Sequence, residues 1–100
     1  MGRVIFSIKY EIIPERREEY LDVIRELKSL VEAEGLESYS VYEGKKNKNH
    51  FQEIYVFESE ETYEEFDDNQ DERVDLLMTK LSDMIKQQST QYNTLVEVNN

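Results

Sequence analysis

"EIYVFESEETYEEFDDNQDER", residues 53–73, passes without a break from one kind of secondary structure into another. It opens as a strand: Tyr55 and Phe57, with Phe51 just ahead of them, fall on one side of an extended chain, and Ile54 and Val56 on the other. From Glu58 to Glu72 it then carries nine acids and no base. Ser59 stands where a helix N-cap belongs, ahead of a short helix over "EETYEEF". Asp67, Asp68 and Asn69 are expected to break that helix and to cap the next one. Acids near two helix N-termini are favoured by the helix dipole, so the acidic run reads as a solvated face. No glycine marks a calcium-loop turn within it.

The chain on either side supplies the partners for this strand and helix. Residues 3–12, "RVIFSIKYEI", alternate Val4, Phe6, Ile8, Tyr10 and Ile12 with Ile5, Ser7, Lys9 and Glu11. Pro14 then opens a helix through "ERREEYLDVIRELKSLVEAE", whose Tyr20, Val23, Ile24, Leu27, Leu30 and Val31 form one apolar stripe. Gly35 is placed to cap its C-terminus. "LESYSVYEG" and "HFQEIYVFE" read as two strands joined by a polar hairpin over 44–49. A third helix carries Val74, Leu77, Met78, Leu81, Met84 and Ile85 on one stripe, and "TLVEV" is a last short strand.

The order β-α-β-β-α-α-β, with right-handed crossovers, leaves one economical arrangement. It is an α+β, ferredoxin-like fold: a four-stranded antiparallel sheet of order 4-1-3-2 with the helices on one face. One hundred residues with no linker, repeat or low-complexity tract make a single domain over 1–100.

Composition narrows the partners. Twelve basic against 23 acidic residues give a net charge of −11, which argues against nucleic acid and against an anionic membrane surface. The absence of Cys excludes disulfides and thiolate chemistry and suits a reducing cytoplasm. The longest apolar run near the N-terminus, Val4-Ile5-Phe6, is far too short for a signal peptide or a membrane span.

In the sheet so ordered, strands one and three are central and apolar on both faces, whereas the helices cover one. Leaving Ile5, Ile54 and Val56 wet would forfeit roughly 1.5–3 kcal/mol each. A second copy packed sheet to sheet would bury them, so a twofold homodimer is expected.

The element order, "YSVYEGKKNKNHFQEIYVFESEETYEEF" and "ERVDLLMTKLSDMI" resemble the antibiotic biosynthesis monooxygenase-like proteins of the dimeric α+β barrel superfamily, over residues 3 to about 98. The resemblance implies a barrel formed by two sheets across the dimer, and in each subunit a pocket between sheet and helices. It also implies a cofactor-independent oxygenase or isomerase, in a family that includes heme-degrading enzymes. Phe57 stands where members often carry a Trp, and Phe66 where they often carry a His. With no Trp and His50 as the chain's one His, heme breakdown is not expected.

Candidate site residues follow from the faces. Glu53 shares the helix-covered face with Phe51, Tyr55 and Phe57; a carboxylate there would be desolvated and suited to general acid–base work. Tyr55 and Tyr10 are the candidate phenols beside it, while the facing of Tyr39 and Tyr42 is ambiguous. Phe6, Phe57, Tyr63, Phe66 and Leu77 are expected to wall a pocket for a small apolar or aromatic molecule. His50, beside the lysines of the hairpin, could meet an anionic substrate. No metal or cofactor is expected. The contrasting expectation is a non-catalytic dimerisation or ligand-sensing module whose cavity is filled by its own Phe and Met side chains. A cavity of roughly 300 Å³ or more beside Glu53 separates the two readings.

Overall fold

The computed structural model describes residues 2–66 and 71–98. Strand β1 (Val4–Glu11) leads through a 3₁₀ turn at Pro14–Arg16 into helix α1 (Arg17–Leu30). Then come β2 (Leu36–Glu43), β3 (His50–Phe57), the short α2 (Glu60–Glu65), α3 (Glu72–Ser82) and β4 (Gln91–Val96). The strands form one sheet in the order β2-β3-β1-β4, every pair antiparallel. This is the expected ferredoxin-like arrangement, read from the opposite edge.

Alternation sorts the sheet into two faces. Inward, Tyr10, Phe51 and Ile12 meet the stripes of α1 (Tyr20, Val23, Ile24, Leu27) and α3 (Val74, Leu77, Leu81) in one cluster. Val4, Tyr55 and Phe57 form a second cluster nearer α2. Outward, Ile5 lies between Val56 of β3 and Leu95 of β4, an apolar row across three strands. The edge strand β4 is wet: Tyr92 is 69%, Leu95 54% and Val96 48% exposed.

Several boundaries differ from the sequence reading, each for a visible reason. Helix α1 ends at Leu30, because Val31 turns extended and packs between both inner clusters. Gly35 therefore caps no helix. It sits at φ +83° in the turn before β2, where its carbonyl accepts from the Glu58 N–H. Helix α3 stops at Ser82, so Met84 and Ile85 are not on its stripe; Met84 is fully buried beyond it and Ile85 bridges Ile12. Strand β4 begins at Gln91, earlier than "TLVEV" suggested, and pairs with β1 throughout. The expected break at Asp67, Asp68 and Asn69 lies outside the described residues, and the cap of α3 is Asp71, whose side chain accepts from the Arg73 N–H.

Two local devices hold the ends of the sheet. At the hairpin, Arg17 from α1 grips Glu43 with two bonds, 2.6 and 2.9 Å, and also reaches Asn49. This pairing holds the Glu43 carboxyl down to about 2. At the other end, Ser59 caps α2 in a reciprocal box with Thr62. A Cβ on Gly35 would collide with Thr62 Cγ2, in a conformation that already disfavours side chains. Gly35→Ala should therefore cost about 2–4 kcal/mol in urea denaturation. Adding Thr62→Ser, which removes the colliding methyl and keeps the hydroxyl, should recover part of that loss.

Candidate functional site

Glu53 lies on the inner face of β3, opposite Ile8 of β1 and Val41 of β2. It is 1% exposed, so burial dominates its electrostatics. Its oxygens are met by phenols. Tyr10 of β1 donates to Oε2 at 2.6 Å, and Tyr39 of β2 donates to Oε1 at 2.8 Å. Tyr55, two residues along β3 on the same face, also helps to hold the carboxyl down against the effect of burial. These positions are diagonal neighbours across the strands, a spacing that long aromatic side chains span. Behind Tyr10, the hydroxyl of Tyr20 on α1 stands 2.7 Å away. Among the described residues, no buried side-chain polar atom is left without a partner.

The charge balance is unusual. Among the described residues, no Lys, Arg or His forms an ion pair with Glu53. A buried carboxylate without a cation is costly in its charged form. Desolvation pushes the Glu53 carboxyl above its ordinary value, and the phenol bonds partly oppose that rise. Burial and the Glu53 charge together push the Tyr10 and Tyr39 phenols up, so neither ionises at physiological pH. The arrangement suits a carboxylate that takes a proton more readily than an exposed one while its phenols remain donors.

One side of this cluster opens. A cleft of about 340 Å³ has Glu53 and Tyr10 on its floor, and Ile8, Met78, Leu81, Ile85 and Tyr92 as largely apolar walls. Lys86 lies at its rim with Nζ held 2.8 Å from Glu11. The volume falls in the usual range of small-molecule sites. Among the described residues, no group of three His, Asp or Glu side chains is placed to hold a metal ion.

The sequence-named residues divide between three places. Glu53, Tyr10 and Tyr55 come together in the phenol cluster. Phe57, Tyr63 and Phe66 do not line the cleft: Phe57 packs edge-on against Tyr63 and Phe66 at 5.5 and 5.1 Å, a closed aromatic end. Phe6 joins them from β1 and also stacks on Tyr92 at 6.1 Å. Leu77 is 1% exposed within the first inner cluster, and its neighbour Met78 takes the wall position instead. His50 lies at the hairpin end, 3.7 Å from Glu11, and lines two hollows there, one of which shares Tyr10 and Gln88 with the cleft. Two further residues join the site: Tyr39, a candidate phenol whose facing the sequence leaves open, and Tyr20, which the sequence shows only as one member of an apolar stripe.

A family model for antibiotic biosynthesis monooxygenase matches residues 3–73. No curated protein matches the chain in sequence. Solved structures match it in fold. A conserved protein from Methanosarcina mazei Go1 has a TM-score of 0.77 at 18% identity, covering 95% of this chain and 92% of that one. Rv0793 from Mycobacterium tuberculosis has a TM-score of 0.75 at 12% identity, covering 98% and 97%. A structure described as an antibiotic biosynthesis monooxygenase gives 0.70 at 19% identity, covering 100% and 99%.

Proposed function

Because the chain belongs to the antibiotic biosynthesis monooxygenase family, we propose that it works as a homodimer whose cleft binds a small, flat, apolar or aromatic molecule and oxygenates it without a cofactor. One observation carries the reading: a buried carboxylate with phenol donors and, among the described residues, no cationic partner opens into an apolar cleft. A substrate carrying an acidic proton would place it against Glu53, with its flat body between Met78, Leu81 and Tyr92. Transfer of that proton leaves an electron-rich anion that can itself reduce dioxygen. One oxygen atom enters the product and the other leaves as water, with the substrate as its own reductant. The protein's part is then to bind, deprotonate and keep bulk water away.

The dimer proposal is supported by the outer row Val56–Ile5–Leu95, with Ile54 beside it, which the helices do not cover. The closed aromatic end around Phe57 and Phe66 favours a second reading, a ligand-sensing or dimerisation module without turnover. Native mass spectrometry with quinols and anthrones added tests the binding and the assembly together. We expect a species of twice the 12.0 kDa chain mass carrying one ligand per subunit. A lone 12.0 kDa species without ligand at micromolar concentration would overturn the proposal.

A further inference from the structure

Tyr20 does not line the cleft, yet it is fully buried with its hydroxyl 2.7 Å from that of Tyr10. A phenol carries a single proton. Tyr10 directs its proton to Glu53 Oε2 at 2.6 Å. At the Tyr10–Tyr20 contact Tyr10 can then only accept, so Tyr20 must donate. The bonds therefore have a direction, from α1 through β1 to the carboxylate. A hydroxyl whose oxygen accepts a bond becomes a stronger donor through its own proton.

We infer that Tyr20 is a positioning residue: by donating to Tyr10 it locks the Tyr10 proton onto Glu53 and so sets how readily the carboxylate takes a proton from a bound molecule. This rests on the reading of Glu53 as the base. The groups around Glu53 leave Tyr20 a defined share of the effect. Tyr10 reaches it from β1, Tyr39 from β2 and Tyr55 along β3. Helix α3 presents only uncharged side chains to the cleft, Met78, Leu81 and Ser82, and Lys86 at the rim is tied to Glu11. Glu43, gripped by Arg17, acts on Tyr20 through space.

The test is a titration of Glu53 in the free protein, read from the carbonyl stretch of its protonated carboxyl and assigned by its loss in Glu53→Gln. Tyr20→Phe deletes one hydroxyl and keeps the ring against Phe51, 4.5 Å away. The Glu53 midpoint should rise by about 0.3–0.5 pH unit, the share expected of one cooperative bond. Tyr20→3-fluorotyrosine keeps the bond and strengthens donation, so the midpoint should fall. Tyr39→Phe removes a direct donor and should raise it further, which shows that the signal responds. Unchanged midpoints in both Tyr20 variants, with Tyr39→Phe still shifted, would reduce Tyr20 to a packing residue and overturn the inference. That result would leave the base reading standing, which fails separately if Glu53→Gln retains full turnover.

Discussion

Glu53→Gln should lower turnover of a quinol or anthrone substrate by roughly 10²–10⁴-fold, the share that a positioned base supplies. The amide keeps the shape of the side chain and can still accept from one phenol, so the fold should persist while the proton acceptor is lost. Equal turnover in the variant, measured in single-turnover reactions with the native protein alongside, would remove Glu53 as the base. The same variant has a signature in stability. Burial holds the carboxyl above 4.5, the ordinary glutamate value, in the folded protein. The folded state then binds the proton more tightly than the unfolded chain. The resulting stabilisation is complete below the unfolded value and is lost as pH rises through the folded one. Urea denaturation across pH should show this decline in the native protein, and Glu53→Gln, with nothing to titrate there, should lack it. Carboxylates held low by cations, such as Glu43 by Arg17, respond in the opposite sense, but they do so in both proteins.

Phe57→Ala should destabilise the protein by roughly 3–5 kcal/mol, the usual range for truncating a fully buried ring. Phe57 is the anchor of the second cluster: it is fully buried and meets Tyr55, Tyr63 and Phe66 within 6.4 Å. Helix α2 has no fully buried residue of its own, so its attachment depends on Tyr63 and Phe66 finding that ring. Hydrogen exchange should quicken first in α2, ahead of β3. Tyr42→Ala, at an outward position 57% exposed, should change stability by no more than about 0.5 kcal/mol. A loss below about 1 kcal/mol for Phe57→Ala would show that the aromatic end is not core, given the cost of emptying a packed site.

How much of the site was legible depended on local parity. Glu53 reads as inward because it alternates with Phe51, Tyr55 and Phe57 on a regular strand, and the structure has it there. Tyr39 does not, because β2 is irregular: its register shifts between Leu36 and Ser38. That shift puts both Leu36, opposite Phe57, and Tyr39, opposite Tyr55, on the inner face. Strict alternation from Leu36 would have turned Tyr39 outward and Tyr42 inward, the reverse of what is found. Helix α3 raised the same difficulty. Its stripe includes both Leu77 and Met78, and which of them faces the cleft depends on how the helix is rolled against the sheet.

The order of elements, the antiparallel sheet with its strand order, and the helix-covered side of β1 and β3 are all readable in the residues alone. Periodicity, capping residues and crossover handedness are local properties, and they agree with one another along the chain. It takes the tertiary structure to bring the phenols of Tyr10 and Tyr39 onto one carboxylate, with Tyr20 behind Tyr10. Only it put the cleft beside α3, away from the Phe57 end. A tyrosine's ring obeys the apolar pattern that a sequence displays, but its hydroxyl lies at the far tip. Where that tip arrives is set by the packing of one element on another.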